Sequence, residues 1–175
     1  WDGAASDFEK AALIYSNMGK IPFAKEAYDS AATAHDKAGN TFLAAKCLEQ
    51  LATLLKDNGR AEEAPEIYAR ASVLYARDNK QQQQADCLVK AAKLAPTAQV
   101  DRAIQWIKEG IEALEDAERG HLALDLYRSL VQVQLRANKM PDAIGTLKKL
   151  IKAIDKLNQP AQVAKVGLEI IILCL

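Results

Sequence analysis

The chain has 175 residues, half of them hydrophobic, and its 23 basic and 23 acidic side chains give a formal net charge of zero. No apolar run approaches the roughly 20 residues that a membrane-spanning helix needs, so composition indicates a soluble globular protein. The three cysteines have no CxxC spacing, which favours a reducing, cytoplasmic environment. Because the chain begins at Trp1 and stops within an apolar stretch, we expect it to be a fragment of a longer protein.

A three-position motif recurs about every 20 residues along the chain. The first position is mostly alanine: Ala4, Ala24, Ala44, Ala64, Gln84, Ala103, Ala123, Ala143, Ala164. Four residues later comes a large side chain: Phe8, Tyr28, Leu48, Tyr68, Leu88, Ile107, Tyr127, Leu147, Leu168. Three residues further on comes a small or aliphatic one: Ala11, Ala31, Leu51, Ala71, Ala91, Gly110, Leu130, Leu150, Ile171. These offsets lie on one face of a helix, so the repeat predicts nine similar helices stacked in a row.

Residues typical of turns separate the predicted helices. All six asparagines and four of the glycines fall between the predicted helices, where a left-handed residue ends a helix. The predicted helices span 2–16, 22–37, 41–57, 61–77, 80–94, 100–116, 120–137, 141–157 and 160–174. Short connections make successive helices antiparallel. We therefore predict an all-α, TPR-like α-α superhelix forming a single domain over 1–175, with a bend near 96–100. Three glycines inside helices are expected to mark close helix contacts: Gly110, Gly145 and Gly167.

The residues of common catalytic and metal sites are sparse. His35 and His121 are 86 residues apart, and repeats of a solenoid contact only their neighbours. No nucleophile elbow or glycine-rich phosphate loop occurs. Cys47 and Cys87, 40 residues apart, are expected to be small apolar fillers between helices. We therefore predict a protein that is not an enzyme and has no metal site and no cofactor.

Charge is unevenly distributed. Residues 1–127 carry 15 basic and 20 acidic side chains, whereas residues 128–175 carry 8 and 3. This polarity predicts one end of an elongated solenoid that attracts acidic partners and one that repels them. The acidic side chains concentrate at Glu109, Glu112, Glu115, Asp116 and Glu118. The candidate partner-binding residues are the basic ones: Lys148, Lys149, Lys152 and Lys156, joined by Arg136 and Lys139. An ordinary solvated helix face is the alternative; without interleaved aromatic residues, nucleic acid is a poor partner.

Longer runs carry a family resemblance. WDGAASDFEKAALIYSNMGK, AKEAYDSAATAHDKAGNTFLAAKCLEQLATLLKD and EEAPEIYARASVLYARD resemble the soluble NSF-attachment proteins, most of all their gamma branch. The resemblance continues more loosely through VDRAIQWIKEGIEALED and MPDAIGTLKKLIKAIDKL. It implies a curved sheet of helical hairpins followed by a carboxyl-terminal bundle. The family's amino-terminal membrane-contact loop and its carboxyl-terminal region are expected to lie outside this chain.

The resemblance also implies a function. Family members bind assembled SNARE complexes of syntaxin-type proteins and recruit the ATPase NSF, which takes the complexes apart during vesicle trafficking. It implies a cytoplasmic adaptor peripherally associated with endomembranes such as ER, Golgi and vesicles. Near Asp86 and Asp125 this sequence is acidic where the alpha branch uses lysines, so no SNARE-contacting residue is carried over. Two alternatives stay open: a TPR-type co-chaperone that binds peptides, and a purely structural scaffold.

Overall fold

Helices make up nearly all of the computed structural model, which describes residues 1–174; the side chain of Asp2 lies outside that description. The described residues contain nine α-helices and no strand. They divide into two compact units, unit 1 (Trp1–Ala95) and unit 2 (Pro96–Leu175). The predicted all-α fold is confirmed, and the prediction of one domain over 1–175 with a bend near 96–100 stays a prediction.

Unit 1 contains five α-helices, each packed antiparallel on the next. They are α1 (Asp2–Asn17), α2 (Ile21–Lys37), α3 (Thr41–Asp57), α4 (Ala64–Arg77) and α5 (Gln81–Leu94). The sequence predicts that the fourth helix begins at residue 61. In the structure Ala61–Glu63 form a 3₁₀ turn, and α4 begins three residues later with Pro65 in its first turn. Proline suits that position because a first-turn amide has no partner within the helix.

Unit 2 contains four α-helices packed in the same way. They are α6 (Val100–Asp116), α7 (Gly120–Arg136), α8 (Met140–Asp155) and α9 (Pro160–Cys174). A short 3₁₀ turn, Thr97–Gln99, precedes α6. Eight of the nine predicted helices agree with the structure to within two residues at each end.

Most turns between helices close with the same hydrogen bond. At six of them a backbone amide beyond the helix donates to a carbonyl five residues earlier, as Lys20 does to Tyr15 and Lys139 to Gln134. This arrangement needs a residue with positive φ. In unit 1 that position is filled by Gly19, Gly39, Gly59 and Asn79. After α6 the residue with positive φ is Glu118, at 57°, and not Gly120, which is one of the four glycines expected in turns.

The alanine motif is buried in the inner helices but not in the outermost ones. In α2, for example, Ala24, Tyr28 and Ala31 are at most 6% exposed. The predicted register was wrong for α1, where the buried alanines are Ala5 and Ala12 and Phe8 is 41% exposed. Ala5 and Ala12 are seven residues apart and therefore match the first and third positions of the motif. Glu9, four residues after Ala5, then occupies the second position, where the motif has a large side chain.

The predicted register was also wrong for α9. There Val166 is buried, while Leu168 and Ile171 are 61% and 57% exposed. Within the described residues α9 packs mainly on α8, so only a narrow part of its surface is covered. The expectation that glycines inside helices mark close helix contacts is also wrong at two positions. A Cβ added to Gly145 or Gly167 would meet nothing within 4 Å.

Ion pairs connect alternate helices. The Arg70 guanidinium lies 3.0 Å from Asp29, and Arg77 lies 3.0 Å from Asp36; both pairs join α4 to α2. Since α2 and α4 both run antiparallel to α3, they are parallel to each other. These partners are 41 residues apart in sequence, about two repeats, which is the spacing expected of a stack of helical hairpins.

Candidate functional site

Three exposed lysines on α8 and a fourth at its C-cap, Lys156, lie on one side of this helix. Lys148, Lys149, Lys152 and Lys156 are all exposed, and successive 100° steps place them within about 100° of the helix circumference. The opposite face is anchored by buried side chains: Ala143, Thr146, Leu147, Leu150 and Ile154. Within residues 1–174 no ion pair involves any of the four lysines. We call these four residues the lysine face.

Arg136 and Lys139 lie at the other end of α8. Arg136 ends α7, and Lys139 precedes the first residue of α8. At 1.5 Å per residue, nine residues separate Lys139 from Lys148 by about 14 Å along the axis. The Lys139 ammonium is paired with the carboxylate of Asp101, and the hydrogen bond between them raises the pKa of Lys139. The structure therefore separates these two residues from the lysine face.

The acidic side chains named above belong to the same unit as the lysine face. Asp101 and Lys139 bring the starts of α6 and α8 together. Both helices run antiparallel to α7, so they point in the same direction and Glu109 and Glu112 lie at about the same level as the lysine face. Both charge concentrations are therefore in unit 2, two helices apart.

A second polar cluster lies inside unit 1. His35 Nε2 is 3.1 Å from Glu9 Oε1, and the Cys47 thiol donates a 3.0 Å hydrogen bond to the same oxygen. One ligand atom from each of the three residues lies within 4.8 Å of the others. His35 is 5% exposed and Cys47 is 1% exposed. Burial, followed by the hydrogen bond to Glu9, raises the pKa of the Cys47 thiol, so the thiol is protonated at neutral pH.

This cluster is not predicted from the sequence, for three reasons. Cys47 is expected to be an apolar filler, and Phe8, rather than Glu9, is expected at the large-residue position of α1. The available signal was the sequence spacing: Ala5 and Ala12 fit the repeat as well as Ala4 and Ala11 do, and that register puts Glu9 on the buried face. His35 was set aside because only His121 was considered as its companion.

Comparison with known proteins decides the family. A family model described as "Soluble NSF attachment protein, SNAP" matches residues 1–112. The chain belongs to the soluble NSF attachment protein family. It is 32% identical over all 175 residues to the gamma-soluble NSF attachment protein of Arabidopsis thaliana, and 24% identical to the protein of that name from Dictyostelium discoideum. All of this chain is aligned, but it spans only 60% and 54% of those two relatives.

Solved structures support the fold of this family member. The crystal structure of BtubC (BKLC) from P. vanneervenii aligns with 88% of the chain and 64% of its own length, at a TM-score of 0.58 and 18% identity. A kinesin light chain from P. anserina with nearly identical TPR-like repeats aligns with 96% of the chain and 93% of its own length, at a TM-score of 0.55 and 13% identity. At these identities the likeness shows the TPR-like fold alone. No described helix of the chain is both long enough and apolar enough to cross a bilayer.

Proposed function

We propose that this chain is the SNARE-binding part of an adaptor that recruits the ATPase NSF for SNARE disassembly. Membership of the soluble NSF attachment protein family supports the adaptor role. The lysine face of α8 is proposed as the contact for the SNARE complex, because assembled SNARE bundles are generally acidic on their outer surface. The recruitment of NSF is assigned to the portion of the relatives that this chain does not span.

The observation that carries this proposal is that the four lysines are exposed and, among residues 1–174, unpaired. Lys148, Lys149, Lys152 and Lys156 are exposed and have no acidic partner within the described part of the chain. Their helix is held by Leu147, Leu150 and Ile154, each at most 1% exposed. Ammonium groups on an anchored helix attract an acidic surface without first breaking an internal ion pair, which speeds association and gives a steep dependence on salt.

The adaptor is proposed to act at the cytoplasmic surface of endomembranes and to carry out no chemistry itself. The ATPase supplies the energy for separating the SNARE proteins, so the adaptor needs a rigid surface rather than a catalytic cleft. A stack of helical hairpins provides such a surface. Peripheral membrane contact is assigned, like NSF recruitment, to segments of the relatives outside this chain.

A pull-down with two baits tests the proposal against its alternatives. The immobilised chain is incubated separately with an assembled SNARE complex and with a free acidic peptide. The SNARE adaptor should retain the complex and not the peptide. Retention of the peptide alone would instead favour the TPR-type co-chaperone, and retention of neither would favour a structural scaffold. A peptide clamp of that kind needs inward-facing asparagines, whereas Asn79, Asn138 and Asn158 occupy turns with positive φ.

A further inference from the structure

Three departures from the repeat pattern converge on one point in unit 1. Glu9 in α1 stands where the other helices carry a large apolar or aromatic residue. His35 in α2 and Cys47 in α3 occupy core positions twelve residues apart. In the inner helices α3, α4, α6, α7 and α8 the residues equivalent to His35 are Leu55, Tyr75, Leu114, Gln134 and Ile154. In the inner helices α2 and α4 to α8 those equivalent to Cys47 are Ala27, Ile67, Cys87, Trp106, Leu126 and Thr146. Among the described residues, an acid, an imidazole and a thiol meet only where α1, α2 and α3 pack together.

We propose that Glu9, His35 and Cys47 form a zinc site with one carboxylate, one imidazole and one thiolate ligand. The three donor types are those of protein zinc sites, and three protein ligands leave the fourth tetrahedral position to water. Nitrogen and sulfur donors do not suit magnesium or calcium, which prefer oxygen ligands. The inference concerns unit 1 and is independent of the function proposed for the lysine face.

The three ligand atoms are close enough for one zinc ion. Zinc–ligand bonds of about 2.0 to 2.3 Å place tetrahedral ligand atoms roughly 3.3 to 3.8 Å apart. The distances from Glu9 Oε1 to His35 Nε2 and to Cys47 Sγ are 3.1 and 3.0 Å, and all three ligand atoms lie within 4.8 Å of one another. Zinc binding therefore needs an outward movement of Glu9, whose side chain is 41% exposed, and adjustment of the distance between the other two ligand atoms. The same opening admits the water ligand.

Charge balance favours an ion at this position. The imidazole of His35 is buried, and its Nδ1 has no hydrogen-bond partner in the described residues, whether or not Nε2 binds an ion. Without metal, Glu9 Oε1 accepts from both His35 Nε2–H and the Cys47 thiol. Zinc displaces the Cys47 thiol proton, and the His35 proton moves from Nε2 to Nδ1 so that Nε2 can bind the ion. The double positive charge of zinc then balances the carboxylate and the thiolate, so the buried site is neutral. The ion then fixes α1 to α2 and α3.

The first test is the amount of bound zinc. The parent and all variants carry Cys174→Ser, because Cys174 is exposed and an exposed thiol is a potential adventitious metal ligand. The purified 175-residue chain is equilibrated with zinc, dialysed and analysed for metal. We expect about one zinc per chain in the parent and in Cys87→Ser, the matched control at the equivalent position in α5. Cys47→Ser should reduce the bound zinc about tenfold or more. No stoichiometric zinc in the parent, or equal zinc in Cys47→Ser, would overturn the proposal and leave a hydrogen-bonded triad only.

A second measurement identifies the ligands. Cobalt(II) replaces zinc and gives a thiolate charge-transfer absorption when cysteine coordinates it. The band should be present in Cys87→Ser and absent in Cys47→Ser. Glu9→Gln, at a half-exposed position, should keep the helical circular dichroism of the parent. It should weaken cobalt binding by about tenfold or more, since loss of a direct ligand should cost at least as much as loss of a residue that supports one. A cobalt band unchanged in Cys47→Ser would contradict the assignment of that ligand.

Discussion

The Thr146 hydroxyl donates a 2.9 Å hydrogen bond to Gln134 Oε1 between α7 and α8, with both side chains buried. The two residues are twelve apart and occupy the same repeat positions as His35 and Cys47 in unit 1. The same pair of positions therefore holds a neutral hydrogen bond in unit 2 and two candidate zinc ligands in unit 1. In unit 2 the position that corresponds to Glu9 is filled by the apolar Ile107.

The buried hydrogen bond predicts a strong coupling between these two residues. Thr146→Val should lower the free energy of unfolding by about 1 to 2 kcal/mol, because it leaves the Gln134 carbonyl oxygen without its donor. Adding Gln134→Leu should recover most of that loss, because both polar groups are then removed. Denaturant unfolding followed by the fluorescence of Trp106, which is buried in α6, reports on unit 2 in a Trp1→Phe background. Additive losses from the two substitutions would contradict a direct interaction.

Gly145 lies exposed in the interior of α8, and a Cβ there would meet nothing within 4 Å. Gly145→Ala should therefore raise the free energy of unfolding by about 0.5 to 1 kcal/mol, since alanine loses less backbone entropy in a helix. Gly59 is the matched comparison, with a φ of +76° and the same open space. Gly59→Ala should destabilise by about 1 kcal/mol or more. Denaturant midpoints measure both, and destabilisation by Gly145→Ala would show a packing role that the structure lacks.

Glu63 connects the 3₁₀ turn before α4 to α2. Lys25 Nζ lies 2.6 Å from its Oε2, and Arg60 Nη2 lies 2.5 Å from its Oε1. The hydrogen bond from Lys25 is the main cause that lowers the pKa of the Glu63 carboxyl. A carboxyl with a lowered folded-state pKa stabilises the protein fully above its unfolded pKa of about 4.3, and this contribution is lost as pH falls through the folded value.

Glu63→Gln should therefore destabilise the protein at pH 7 by at most about 1 kcal/mol, the size of a partly exposed ion pair. The difference from the parent should shrink as the pH is lowered below about 4, where the parent carboxyl also becomes protonated. Thermal or urea unfolding at several pH values measures this dependence. Glu62→Gln, at an exposed neighbouring residue, is the control and should show no such trend. A Glu63→Gln effect that is constant with pH would rule out the charged carboxylate as its cause.

Helix number and most helix ends could be predicted from sequence because two independent signals coincide. The alanine motif gives the buried face, and Asn or Gly residues give the turns, as Gly39 and Asn138 do. The start of α4 was harder, because Ala61–Glu63 are also helical in type but form a 3₁₀ turn. Charge and alanine content do not distinguish these two kinds of helix.

Register in the outermost helices could not be predicted in the same way. In α1, Ala4 and Ala5 fit the repeat equally well, and only packing against α2 and α3 selects Ala5. In α9 nearly every residue from Val166 to Leu173 is apolar apart from Gly167 and Glu169, so periodicity does not identify the buried face. The candidate lysines were identified from sequence as exposed cations, whereas the separation of Lys139 by its ion pair with Asp101 required coordinates.

The central claim is tested most directly by the affinity of the chain for an assembled SNARE complex as a function of salt. The variant Lys148→Glu, Lys149→Glu, Lys152→Glu is compared with a control of equal charge change, Lys20→Glu, Lys80→Glu, Lys93→Glu, at three exposed lysines of unit 1. The account predicts about tenfold weaker binding and a flatter salt dependence for the first variant, and near-parental binding for the control. Unchanged affinity in the first variant, or an equal loss in both, would contradict the lysine face as the SNARE contact.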